Sequence, residues 1–180
     1  VDIADFNNDS YLDYIQVDMD AKDNRRSKAN MASMNPDLFW STVNYGFHYQ
    51  YMHNTLQLNR RIQGDKPFFS NISRLSGISS TDWSWGPLLA DLDNDGWKDL
   101  FISNGIRREI NHRDFFNDIK LRPMSSDSLL YYTEQMPSEA IANFTFQNNS
   151  DLTFTDVSES WGLDQKNFSN GATSVSYTHL

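Results

Sequence analysis

The chain has 180 residues, 38% hydrophobic and 14% aromatic, with a formal net charge of −9 and no cysteine. That length supports an ordinary hydrophobic core, the lack of cysteine excludes a disulfide framework, and a pI near 4.7 argues against nucleic acid as a partner. No apolar run is long enough for a transmembrane helix.

The first element in chain order is an acidic loop, Asp5-Phe6-Asn7-Asn8-Asp9-Ser10-Tyr11-Leu12-Asp13. Oxygen-bearing side chains at loop positions 1, 3, 5 and 9 (Asp5, Asn7, Asp9, Asp13), with the backbone carbonyl of Tyr11 at position 7, can converge on one hard cation, because a tight turn brings alternate side chains to one side. The loop feeds Leu12-Asp13-Tyr14-Ile15-Gln16-Val17, whose β-branched and aromatic residues predict a strand. Position 12 is Gln16 rather than the bidentate Glu of an EF-hand, which excludes that reading and a dockerin-like module with it.

Residues 20–50 follow as an insertion. It holds a basic cluster, Lys22, Arg25, Arg26 and Lys28, and the helix-start signal Asn35-Pro36-Asp37. Strands are predicted at Asn54-Thr55-Leu56-Gln57-Leu58-Asn59 and Phe69-Ser70-Asn71-Ile72-Ser73, with Gly77-Ile78 and Trp85-Gly86 beyond them.

A second loop then spells Asp91-Leu92-Asp93-Asn94-Asp95-Gly96-Trp97-Lys98-Asp99 and leads into Leu100-Phe101-Ile102-Ser103, again a predicted strand. Its ligand positions are Asp91, Asp93, Asp95, the Trp97 carbonyl and Asp99, and Gly96 occupies the sharp bend. Asp and Asn also make good plain turns, but such a turn has no need of a carboxylate at position 9, and both copies keep Asp at positions 1, 5 and 9. With four carboxylates against three, and Gly where the first loop has Ser10, the second site is expected to bind more tightly. Two bound dications would bring the net charge to about −5 and relieve self-repulsion.

Residues 106–141 form the second insertion, with short helices expected around Asp114-Phe115-Phe116-Asn117-Asp118-Ile119 and Ser128-Leu129-Leu130-Tyr131-Tyr132. Downstream, Asn143-Phe144-Thr145-Phe146-Gln147-Asn148 matches residues 54–59, and Phe154-Thr155-Asp156-Val157-Ser158, Gly162-Leu163 and Asn170-Gly171 match the segments that begin at Phe69, Gly77 and Trp85. The period is about 85 residues, and the loops lie 86 apart. A unit of about four short strands cannot bury both faces alone and must stack on neighbours like it, which is the logic of propeller blades.

These motifs resemble the FG-GAP/VCBS repeats of integrin-like β-propellers and of bacterial proteins similar to cartilage acidic protein, which often carry an ASPIC/UnbV domain. The resemblance spans Val1 to about Ala172 and implies that the acidic loops hold Ca²⁺ through the residues named above. Ser10 at the usual glycine and the lack of an ASPIC/UnbV segment depart from the pattern.

The expected fold is therefore mainly β, a fragment of a β-propeller of about two blades with short helical insertions. Residues 1–105 hold the first repeat, its helical insertion and the second calcium loop; 106–175 hold the second insertion and a truncated repeat. Both ends look cut; register places an aspartate near Ser176 where the sequence gives Val175-Ser176-Tyr177-Thr178-His179-Leu180, so 176–180 resemble translated adapter sequence, the alternative being a degenerate last repeat. The expected function is a calcium-stabilised, secreted or cell-surface module, extracellular or on a bacterial envelope, that binds a protein or glycan from insertions on one face. It is not expected to be an enzyme. The alternatives are the scaffold of a polysaccharide lyase or hydrolase, and a structural spacer.

Other chemistry is sparse. His48, His53 and His112 lack metal-ligand spacing, and no nucleophile motif occurs. Glu109, Glu134 and Glu139 have no context that suggests a raised pKa. Trp85, Trp97 and Trp161 stand at repeat positions and read as blade packing, which leaves Trp40 and Tyr131-Tyr132 freer to face a ligand.

Overall fold

Each acidic loop joins two strands, and each of those pairs is extended by two further strands to give a four-stranded antiparallel meander. In the first, β1 (Asp2–Ala4), β2 (Asp13–Gln16), β4 (Thr55–Gln63) and β5 (Lys66–Asn71) lie in that order. In the second, β6 (Asp82–Ala90), β7 (Asp99–Asn104), β9 (Phe144–Asn148) and β10 (Phe154–Asp156) repeat it, with the short β3 (Met19–Asp20) added beside β6. A further ribbon pairs β8 (Ile141–Ala142) with β11 (Lys166–Asn167). The structure, a computed structural model, describes residues 1–30, 36–63, 66–122 and 126–175. It is mainly β, 31% strand and 19% helix, with a curled half-barrel sheet.

Alternation explains the core. Leu56 and Leu58 of β4, Ile15 of β2, Leu100 and Ile102 of β7 and Phe146 of β9 are buried and pack with Phe6, Ile78, Leu89 and Phe154 into one cluster fed by both meanders. Phe6, second residue of the first loop, is fully buried with its ring centroid 6.0 Å from that of Phe154, so the loop is anchored by apolar packing. The first strands of the two meanders also touch: the Leu89 amide donates to Asp2 Oδ2 at 2.6 Å. A Cβ on Gly86 would lie 3.1 Å from the Gly171 Cα, so two residues equivalent in the repeat abut in space.

Both insertions leave at the same step, between the second and third strands of a meander. The first contains α1 (Asn24–Asn30) and α2 (Pro36–Asn44), and the second α3 (Arg113–Lys120) and α4 (Ser126–Glu134). α2 begins at Pro36, as the Asn-Pro-Asp signal predicts, although Asn35 itself lies outside the described residues. α3 is capped by His112, whose Nδ1 accepts the Phe115 amide at 3.3 Å. The expectation for Ser176 and for a non-native tail over 176–180 also falls outside the described residues. Among the described residues no helix is long and apolar enough to cross a membrane.

One packing expectation needs correcting. Trp85 is half exposed at 49%, while Trp83, two residues earlier, is buried at 5% against Ala21 and Ile141. The β6–β7 register slips between Ser84 and Gly86. This bulge turns Trp85 outward, where its indole N–H donates to the Gly105 carbonyl at 2.6 Å.

Candidate metal centre

The two acidic loops share one hydrogen-bond frame. In the first, the Asp9 and Ser10 amides donate to the two oxygens of Asp5 at 3.1 and 2.8 Å, and the Tyr11 amide to Asp9 Oδ1 at 2.9 Å. In the second, the Asp95 and Gly96 amides donate to Asp91 at 3.1 and 3.0 Å, and the Trp97 amide to Asp95 Oδ1 at 2.8 Å. The position-3 side chains repeat as well, Asn7 Oδ1 accepting the Asp9 amide at 3.3 Å and Asp93 Oδ1 the Asp95 amide at 3.1 Å. Positions 4 and 6 adopt positive φ in both, Asn8 at 56° and Ser10 at 69°, Asn94 at 63° and Gly96 at 91°. Ser10 therefore takes the left-handed conformation that Gly96 adopts without steric cost.

Position 9 closes each loop and ties it to the sheet. Asp13 and Asp99 are fully buried. Asp13 accepts the Phe6 amide at 3.4 Å and the Asn59 amide at 2.7 Å, and Asp99 accepts the Leu92 and Asn148 amides, both at 2.9 Å. Asn59 and Asn148 complete the frame by donating to the position-8 carbonyls of Leu12 and Lys98 at 3.1 and 3.0 Å. Sequence reasoning gave these asparagines no role, yet both end the matched segments 54–59 and 143–148, and that shared position is the signal that marks them. The loops also meet directly: Asn8 Nδ2 donates to the Gly96 carbonyl at 3.2 Å, and Asn148 Nδ2 reaches the Phe6 carbonyl at 2.8 Å.

In the second loop Asp91, Asp93 and Asp99 each place a carboxylate oxygen within 4.8 Å of the others, a convergence able to hold a metal ion. Asp95 stands outside that trio, turned to the Trp97 amide, and Gln147 Nε2 donates to Asp93 Oδ2 at 2.7 Å. An all-oxygen donor set of this kind suits a hard cation rather than a thiophilic one. The first loop brings the same backbone frame but sets Asn7 where the second has Asp93.

Burial disfavours the ionised form of the two position-9 carboxylates. Burial raises the Asp13 carboxyl to about 6 against backbone hydrogen bonds that lower it, with repulsion from Asp9 and Asp5 adding to the rise. Asp99 is raised for the same reasons, burial first, then the fields of Asp93 and Asp95.

A second polar cluster lies under the insertions. Arg26 of α1 is buried at 4% and forks onto Asp82 at 2.6 and 2.8 Å, while its third nitrogen meets Glu109 at 3.1 Å and Glu139 at 2.9 Å. Arg25 grips Glu139 from outside at 2.7 and 2.9 Å. Glu109 and Glu139 are thus far from free. Burial raises the Glu109 carboxyl despite Arg26, and the Arg25 hydrogen bond lowers that of Glu139. The rest of the basic cluster read from the sequence is at the surface but partly paired, Lys22 lying 3.4 Å from Asp156 and over the Phe144 ring. Glu109 is 1% exposed, which removes it as an acid or base for a polymeric substrate.

Trp40 is 55% and Tyr131 58% exposed, as expected of residues left over from core packing. Comparison of the chain with family models, with characterised proteins and with solved structures gives no match.

Proposed function

We propose that this chain is a pair of blades of a calcium-stabilised β-propeller of the FG-GAP/VCBS type, in which the cations are structural and the helical insertions form a binding face for a protein or glycan. The observation that carries the reading is the atom-for-atom repetition of the loop frame in two meanders of the same strand order. A plain Asx turn accounts for the position-1 and position-5 contacts but not for two buried carboxylates that each latch the loop to the third strand of its own meander. In this reading Asp91, Asp93, Asp95, the Trp97 carbonyl and Asp99 hold one Ca²⁺, and Asp5, Asn7, Asp9, the Tyr11 carbonyl and Asp13 hold the other. Millimolar-range calcium sites are useful mainly outside the cytosol, where calcium is plentiful, so a secreted or cell-surface setting accompanies the proposal.

Calorimetric titration of the chelator-treated chain with CaCl₂ tests it. Two saturable sites are expected, the weaker at the Asp5 loop, with a rise in melting temperature. Asp93→Ala should weaken the second site by roughly tenfold or more while Asn7→Ala has a smaller effect at the first, because a charged ligand contributes more than a neutral one. A folded sample that takes up no calcium overturns the proposal.

The raised Asp13 carboxyl gives a pH signature. The folded chain without calcium holds a proton on Asp13 up to about pH 6, whereas the unfolded chain releases it near 3.8. Between those values the folded state binds more protons, so this group's contribution to stability is fully present below about 3.8 and is lost as pH rises through 6. Calcium reverses the preference by binding the ionised form. Affinity at the first site should therefore drop as pH falls below 6, approaching about tenfold per pH unit. Titrations at pH 5 and 7 check this, and equal affinities would remove Asp13 from the ligand set.

A further inference from the structure

We infer that a two-part groove on the first meander binds an acidic oligosaccharide, its sugar rings on the aromatic half and a uronate carboxylate at Arg74. This deepens the glycan branch of the binding reading and rests on it. The aromatic half is a cleft of about 330 Å³ between α2 and residues 50–52, lined by Phe39, Trp40 and Tyr51 with Thr42 and Gln50 on its polar side. It is built from rings that pack on one another: Phe39 meets Trp40 edge-on at 5.3 Å and Tyr51 at 5.6 Å, and Tyr49 lies parallel to Tyr51 within 6°. Even so, Trp40 and Tyr51 each remain 55% exposed.

Tyr51 also lines the second half, a cleft of about 410 Å³ whose other walls are His53, Asn71, Ser73 and Arg74. One feature there points to a ligand. Arg74 makes no ion pair among the described residues, and no carboxylate lines the cleft. In a chain of net charge −9 this is a local cationic spot. Screening over about 8 Å at physiological salt lets such a spot attract an anion against the overall field. A cleft that is apolar and aromatic over most of its length, with a few convergent polar groups at one end, matches the general form of small-ligand sites.

A peptide is the less suitable occupant. The neighbouring β5 is an edge strand, but Lys66 and Pro67 blunt it against strand addition. Exposed aromatic rings flanked by a hydroxyl, two amides and a guanidinium suit a polyhydroxylated, singly charged ring better than an extended backbone.

The test is isothermal titration of the full chain with hexagalacturonate and, separately, with neutral cellohexaose, in chelator and again with calcium, with calcium uptake measured on the same samples. Hexagalacturonate should bind the more tightly by about tenfold, as expected for one added charge-assisted contact. Arg74→Gln should abolish that margin, and Trp40→Ala should weaken both sugars. Equal affinity for both sugars, an Arg74→Gln chain that keeps the margin, or binding of an apolar peptide but of neither sugar overturns the inference. Intact two-site calcium uptake with no sugar binding overturns the groove alone. Sugar binding without calcium uptake leaves the groove standing and overturns the propeller reading.

Discussion

Asp99→Ala should lower the melting temperature in chelator by about 5–10 °C, the scale expected when a chain of this size loses about 2–3 kcal/mol. The side chain is fully buried and holds the Leu92 and Asn148 amides, so its removal orphans one N–H at the start of the loop and another in β9. Each stranded buried donor costs about 1–3 kcal/mol, offset in part by removal of a carboxylate that burial and the nearby aspartates already disfavour. The loss should persist without calcium and grow in its presence, because the same carboxylate belongs to the Asp91–Asp93–Asp99 convergence. Asp95→Ala is the comparison. Its carboxylate is exposed and, among the described residues, holds just the Trp97 amide, so without calcium its melting temperature should hardly move. Thermal melts of the two variants side by side decide the matter, and equal effects in chelator would mean that position 9 does not latch the loop to the sheet.

Arg26→Ala should be the most damaging single change to the insertions. It leaves Asp82 and Glu109 buried without their cation, a defect that typically costs about 3–5 kcal/mol, and for this chain length a fall of about 10 °C or more. Arg26→Lys should rescue little, because a single ammonium cannot reproduce the fork onto Asp82 while also reaching Glu109 and Glu139. Asp82 adds a backbone reason: it sits at φ 79°, a region costly for a residue with a Cβ, and Arg26 helps to hold it there. A urea unfolding midpoint close to that of the parent chain would show that the cluster is not needed to dock α1.

How much of this was legible in the sequence follows from the range of the interactions. The acidic loops were readable because their frame is local: alternate side chains bonding amides two to five residues on, twice, with one spacing. The flanking strands and the helix at Pro36 were readable for the same reason. The Arg26 cluster was not, since its partners lie 56, 83 and 113 residues away and nothing local distinguishes Arg26 from Arg25 or Lys28. The strand β6 was obscured by Gly86-Pro87, which reads as a break. Pro87 is tolerated because β3 pairs β6 just at Asp82 and Trp83, which leaves the stretch around Pro87 without a ladder partner on that side. The bulge at Ser84–Gly86 then exchanged the roles of Trp83 and Trp85. Trp40 was correctly set apart from the core, but Arg74 reaches its groove through the fold alone.

The side chain of Asn148 leaves the two meanders no freedom to slide. Its amide nitrogen donates to Phe6 in one and to Lys98 in the other, its oxygen takes the Ser150 amide, and its own backbone N–H is held by Asp99. Both amide hydrogens are spent on carbonyls from opposite sides of the seam. A shear of even one residue along that seam would strand the buried Phe6 carbonyl without its donor. Sliding of one meander past the other is therefore opposed at the seam by both hydrogens of a single side-chain amide.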